Sequence, residues 1–341
     1  MKSAGSSRAP DMTKHARSAL QSAARIVSSV SRSTLSSLST RSTRSLTALT
    51  LVTASLAVMG AGCVKRNQVP DAASLRAVEQ ESASGVVAIA TTMADSPTHI
   101  TLCSGALVAP NLIVTARHCV SRAVTATPSC DARGRSHNGD HLAEDVDPSS
   151  IAIYTGSHVR PDVDVPVARA VRTLHPTGQV LCDADVAFLV LDRPIANAAV
   201  LTMRLHSPVE TGDVIMPVGF GGGVQNVVGL KVARAKSTIL ATGPSANAAT
   251  GAVLGPREFE VDRATCRGDS GGPAIDVMTG EIVGIVSRGG SCSATGNHVY
   301  TRVDAYKRLA QAAFTAAERE PNVAAREIPP ADIRASQDSE R

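Results

Sequence analysis

The chain has 341 residues, 43% of them hydrophobic but only 2% aromatic and none Trp, with a formal net charge of +4. That length and apolar content allow one large or two ordinary globular domains whose core rests on Ala, Val, Leu and Ile. So few aromatics exclude nucleic-acid recognition by base stacking. Lys2, Arg8, Lys14, Arg17, Arg25, Arg32, Arg41 and Arg44 gather at the start against Asp11 alone, so the remainder is close to neutral and offers no basic face.

The leading segment is rich in Ser, lacks apolar periodicity and runs into "SLTALTLVTASLAVMGAGCV", charge-free between Arg44 and Lys65. A basic region, an apolar region and then small residues are the layout of an export signal, here residues 1–62 with an unusually long basic part. A retained signal anchor is the competing reading. Thr, Ser and Gly dilute the stretch and Lys65-Arg66 follow it, which favours cleavage. Seven cysteines occur, and in an exported chain an odd count asks which one is unpaired. Cys63 closes "VMGAGC", which resembles the lipobox of bacterial lipoproteins, although Gly60 stands where that motif usually has Leu. On this reading Cys63 carries lipid and attaches the protein to the membrane of a bacterial envelope; without it the product is secreted or periplasmic. Six cysteines then remain for three bridges in an oxidising compartment.

Residues 63–84 are polar and small, a linker or propeptide. From Val86 the character changes to short Val- and Ile-rich runs separated by Gly, Pro, Asp and Asn: "VVAIATT", "ALVAPNLIVTA", "SIAIYTG", "VARAVRTL", "DVAFLVLDRP", "VIMPVGFG", "KVARAKSTIL", "REFEVD", "EIVGIVSRGG" and "HVYTRV". Runs of this length and spacing predict an all-β barrel or sandwich domain over 85–316. "VDAYKRLAQAAFTAAERE" alone has helical spacing, with Val303, Tyr306, Leu309 and Ala313 on one face. The charged, Pro-containing stretch 317–341 is expected to be a disordered tail.

The chemistry concentrates at "ATCRGDSGGPAI", where Gly268, Gly271, Gly272 and Pro273 surround Asp269 and Ser270. Glycines permit a tight turn and close approach of a second molecule to the backbone. A serine on such a turn is a candidate nucleophile, but it needs a base and a group that orients the base. His118 in "LIVTARHCV" follows an apolar strand and stands beside Cys119, with Cys103 upstream in "LCSGALVAP". A structural histidine is the competing reading of that residue alone. In "CDADVAFLVL", Asp183 and Asp185 enter an apolar strand, and Asp185 abuts the run that must be buried. A buried carboxylate needs a partner, and His118 is the candidate.

The order His118 in "TARHC", Asp185 in "DVAFLVL" and Ser270 in "GDSGGP" resembles the trypsin and chymotrypsin family of serine proteases over roughly Val86 to Arg308. "GDSGGP" recurs by chance about 10⁻⁷ times per position at average usage. "LHP" at Leu174-His175-Pro176, "PVGFGGG" and "VYTRV" before the helix agree. The resemblance implies two six-stranded antiparallel β-barrels, an exported endopeptidase acting on proteins or peptides, and no metal or other cofactor. It implies a triad of His118, Asp185 and Ser270, an oxyanion hole from the N–H groups of Gly268 and Ser270, and bridges Cys103–Cys119 and Cys266–Cys292, which leave Cys130 and Cys182 as the third pair. Gly268 is expected to lack a side chain so that substrate can pass. Ala264, Thr265, Ser287, Gly289 and His298 correspond to the substrate pocket. The competing class is a noncatalytic binding or adhesion module on the same fold.

Two departures stand out. Family members begin, after zymogen cleavage, with Ile-Val-Gly-Gly, and the freed amine pairs with the acid equivalent to Asp269; here the place reads "RAVEQE", Arg76 before Ala77-Val78. Activation by cleavage does not follow from this sequence, and the alternative is that Asp269 is satisfied in another way and the enzyme is never a zymogen. In the pocket, Ala264 replaces the acid that binds Lys or Arg, and Arg288 replaces a tryptophan. Cleavage after Arg or Lys is therefore not expected. His298 leaves two readings open, steric restriction to small side chains or electrostatic preference for Glu and Asp, and a two-residue shift would put Gly296 at the wall instead.

Overall fold

The computed structural model describes residues 80, 83–93, 96–124, 128–222, 228–263, 265–289, 292 and 297–320. The export segment, Cys63, the region around Arg76, Ala264, Gly296 and the tail beyond Glu320 lie outside them.

The apolar runs become two antiparallel barrels. In the first, β1 (Val86–Met93), β2 (Ser96–Ala109), β3 (Leu112–Thr115), β6 (Ala152–Tyr154), β7 (Ala168–Leu174) and β8 (Ala187–Leu191) close in the order β1-β2-β3-β8-β7-β6. Alternation puts Ile89, Leu107, Ile113, Ile153 and Leu189 fully inside. β3 and β8 are buried on both faces, because one face fills the barrel and the other meets neighbouring chain. A short hairpin of β4 (Ser121–Ala123) and β5 (Leu142–Asp145) leads away from the histidine.

In the second barrel, β9 (Val214–Gly219), β11 (Ser237–Thr242), β14 (Glu258–Val261), β17 (His298–Arg302), β16 (Ile282–Arg288) and β15 (Pro273–Asp276) pair in that order, and a β15–β9 ladder closes the ring. β10 (Val232–Ala233) adds to the outside of β9. Two of the seven aromatics meet here: Phe259 and Tyr300 stack with ring centroids 5.1 Å apart in a core with Val209, Ile215, Ile239 and Val286. Gly284 leaves room for that stack, since a Cβ there would enter the Phe259 ring. β12 (Ser245–Ala246) and β13 (Val253–Leu254) form a separate hairpin.

The predicted helix is α1 (Lys307–Arg319), preceded by a tight turn over Asp304–Tyr306. Val303, Tyr306, Ala310, Ala313, Ala316 and Ala317 are buried, while Leu309 is half-buried at the margin of the stripe. Ala317, Glu318 and Arg319, expected to begin the tail, continue the helix. No described helix is long and apolar enough to cross a membrane.

Candidate active site

His118 lies in a single tight turn, Arg117–Cys119, that ends β3, and Asp185 sits just before β8, the strand paired with β3. The pairing carries the two side chains to one end of the first barrel. Asp185 has no exposure and accepts hydrogen bonds from the His118 backbone N–H (2.9 Å), from His118 Nδ1 (2.8 Å) and from Ser287 Oγ (2.6 Å). Burial pushes the His118 imidazole pKa down, but the charge and hydrogen bond of Asp185 outweigh it, so the group ends above its ordinary value. Burial likewise pushes the Asp185 carboxyl up, and His118 and Ser287 more than reverse it.

Asp183, the other acid offered by "CDADV", points elsewhere. Its φ of 62° turns the chain, and its carboxylate meets the Arg257 backbone N–H and guanidinium. Its carbonyl accepts from the Tyr306 hydroxyl, which ties the turn to the helix entrance.

The serine loop is held between the barrels. Ser104 of β2 donates its backbone N–H to Ser270 O (2.7 Å) and its hydroxyl to Gly268 O (2.7 Å), while Phe220 N–H donates to the same hydroxyl (2.9 Å). Gly271, at φ +79°, packs against Thr115 Oγ1 and Ser104 O, where no side chain fits. Gly268 is glycine for a reason other than the one expected. Its φ is +101°, and a Cβ would stand 2.9 Å from Gly221 Cα and 3.0 Å from Phe220 O, so the protein's own backbone occupies that side, not a passing substrate.

Sulfur bridges join Cys103 to Cys119, Cys130 to Cys182 and Cys266 to Cys292. The first locks β2 to the histidine turn, and the third ties the serine loop to the far side of the cleft.

His118 and Ser270 line one cleft of about 480 Å³, together with Thr265, Arg267, Ser287, Arg288, Gly289 and Asn297. Of the residues proposed for the substrate pocket, Thr265, Ser287 and Gly289 are among this lining, and Ser287 also bonds Asp185. His298 does not face the cleft. It is fully buried, its Nδ1 is 3.3 Å from both the Thr265 N–H and Oγ1, and a Cβ on Gly289 would reach Nδ1 at 3.0 Å. It packs behind the wall, and the left-handed Asn297 beside it contributes the lining instead. Arg288 is not a free cation either. Its guanidinium turns onto Glu258, with Nη2 to Oε2 at 2.8 Å, and Glu258 is fully buried.

Sequence reading missed two further residues. Arg117, within "TARHC", is buried, and its guanidinium donates to the carbonyls of Pro176 and Gly178, clamping the "LHP" turn beneath the histidine. Arg234 lies against Asp269. It falls in "KVARAKSTIL", read as a strand, and the only signal for it in the sequence was that Asp269 needs a partner where the family's Ile-Val-Gly-Gly is missing.

The sequence model of the Trypsin family matches residues 77–310. Among curated proteins, the chain is 26% identical over 208 residues to a cercarial protease of Schistosoma mansoni, covering 56% of this chain and 72% of that protein. It is 28% identical to snake venom serine proteinase 14 of Crotalus adamanteus, covering 61% and 76%, and 28% identical to a vitellin-degrading protease of Bombyx mori, covering 60% and 73%. Among solved structures, a scabies mite inactivated protease paralogue, SMIPP-S-I1, superposes with a TM-score of 0.52 at 18% identity, over 69% of this chain and 96% of that one. That last likeness concerns the fold.

Proposed function

The chain belongs to the trypsin family and is a serine-type endopeptidase, and on that premise we propose that it is an exported enzyme working through Ser270, His118 and Asp185 with a preference for small side chains before the scissile bond. The observation that carries the reading is the buried Asp185 carboxylate on His118 Nδ1 at 2.8 Å, with His118 and Ser270 lining one cleft.

Nδ1 of the imidazole donates to Asp185, so Nε2 is left as the proton acceptor. His118 takes the Ser270 hydroxyl proton as Oγ attacks the peptide carbonyl. The N–H groups of Gly268 and Ser270 receive the oxyanion, fixed in place before the charge develops. His118 then gives the proton to the leaving amine, and water repeats the sequence on the acyl-enzyme. Asp185 stays ionised throughout and stabilises the imidazolium. The substrate backbone lies extended along Ser287–Gly289 at the end of β16, as an added strand.

Two features support small side chains in the pocket. Thr265, buried, and His298 behind it thicken the floor and wall, and Arg288, one of the two arginines on the cleft, is already neutralised by Glu258. A substrate carboxylate gains no cation from Arg288, which leaves the exposed Arg267 as the other arginine on the cleft. Export is supported by the three bridges, which persist in oxidising compartments. Lipid on Cys63 stays an expectation of the sequence. The relatives named above are animal proteins and say nothing of a bacterial lipoprotein.

A serine-directed phosphonate is expected to label Ser270 and to abolish hydrolysis, and Ser270→Ala to lower turnover by about 10⁴ to 10⁶. A loss below tenfold sinks the assignment. Paired peptides differing only in Ala, Glu or Arg before the scissile bond are expected to be cut fastest after Ala; preference for Glu restores the electrostatic reading, and rapid cleavage after Arg overturns both.

A further inference from the structure

Asp269 precedes the serine but makes and breaks no bond. Its side chain is 1% exposed, and a carboxylate so deeply buried needs a cation. The family resemblance leads one to expect an amine freed by cleavage. The structure supplies Arg234 in its place, with Nε 2.9 Å from Oδ2 and Nη2 3.0 Å from Oδ1, a two-pronged pair.

A carboxylate offers about four acceptor positions, and here each is used. Oδ1 also accepts from Gly221 N–H at 2.8 Å and Oδ2 from Cys266 N–H at 2.8 Å. Space is closed as well, since a Cβ on Gly219 or Gly221 would stand 2.5 Å from Oδ1. Arg234 is itself anchored. Its backbone N–H donates to Pro217 O at 2.7 Å beside the β9–β10 ladder, and Nη2 also donates to Gly221 O at 2.8 Å. An incoming ammonium would have to displace a guanidinium already bonded on both sides.

The position of Asp269 sets the peptide groups on either side of it. Its own N–H donates to Cys266 O at 2.9 Å and its carbonyl accepts from Gly272 N–H at 2.8 Å, which orients the Gly268 and Ser270 N–H groups between them. We propose that Arg234 is the resident cationic partner of Asp269, so that the oxyanion hole is formed in the uncut chain and no new N-terminus is required for activity. This rests on the endopeptidase reading with Ser270 as nucleophile. Arg234 touches neither substrate nor reacting atoms and is a positioning residue.

The test uses the full chain, with its intact mass measured before and after assay. The uncut chain is expected to hydrolyse peptide with the same kcat as a preparation nicked on the N-terminal side of Val86. Arg234→Met is expected to lower kcat about 100-fold or more, the range seen when an oxyanion donor is lost, with KM within about threefold, and Arg234→Lys to recover part of kcat by restoring the charge without the fork. A chain that is silent until a new N-terminus appears overturns the proposal, as does wild-type kcat in Arg234→Met. Should Arg234→Met fail to fold, the uncut-chain measurement decides alone. A phosphonate that labels neither the cut nor the uncut chain overturns the endopeptidase reading instead.

Discussion

Asp185 gives up all its hydration and recovers it as three hydrogen bonds, two of them from His118. The backbone bond fixes where the histidine turn sits, and the Nδ1 bond fixes which way the ring faces, so one carboxylate sets both position and tautomer. Replacing it with Asn keeps the shape but removes the charge that holds the imidazole pKa above its ordinary value against the opposing effect of burial. The base must be neutral to accept a proton, so activity rises as pH increases through the His118 pKa. The acid limb of kcat/KM is therefore expected above about 6.5, the unperturbed histidine value. In Asp185→Asn the burial that pushes the imidazole pKa down is no longer opposed by that charge. The limb of the residual activity is expected below that value, with kcat about 10⁴ lower. A limb that stays in place would show that Asp185 does not govern the ring. This pair was legible in the sequence, because an acid at the mouth of an apolar strand must find a partner. Ser287, its third ligand, was readable only as pocket wall, since nothing local announces a hydroxyl directed at a residue far away in the chain.

At the scale of elements, the Val- and Ile-rich runs gave themselves away by their length and the turn residues between them; β6, β7, β8, β9, β14, β16 and β17 lie within the stretches expected, and β1 runs one residue further, to Met93. "KVARAKSTIL" reads as one strand but divides into β10 and β11, both paired with β9, and the Arg234 side chain between them reaches Asp269. β4, β5, β12 and β13 are too short and polar to carry a period, and β15 hides behind the glycines and Pro273. The serine loop shows why those glycines are there. Gly271 at φ +79° presses on Thr115 and Ser104 of the first barrel, so Gly271→Ala meets both an unfavourable backbone and an occupied space. It is expected to cost more than about 2 kcal/mol in denaturant unfolding and to depress activity at temperatures where the protein is still folded. Gly139→Ala, also at positive φ but with nothing within 4 Å of the added Cβ, isolates the backbone contribution and should leave activity intact. Equal behaviour of the two variants would mean that the loop is not clamped.

Across the whole molecule the proposed site is divided, with His118 and Asp185 in the first barrel and Ser270 in the second, so activity depends on how the barrels dock. Ser104 is the joint. From β2 it holds Gly268 O, Ser270 O and Phe220 N–H, one on each side of the oxyanion peptides and one at the end of β9. Removing its hydroxyl leaves a buried carbonyl and a buried N–H without that partner, at about 1 to 3 kcal/mol each. Ser104→Ala is therefore expected to destabilise the protein by about 2 to 6 kcal/mol and to lower kcat at least about tenfold with a smaller change in KM, because the loop loses its reference to the histidine. Stability loss alone does not explain such a result if a core variant of the same barrel behaves differently. Leu189→Ala removes fully buried packing but no side-chain hydrogen bond to the loop and is expected to cost about 2 to 5 kcal/mol, yet to keep wild-type kcat below its melting temperature. Equal kcat in the two variants would place the registration of the barrels somewhere other than Ser104.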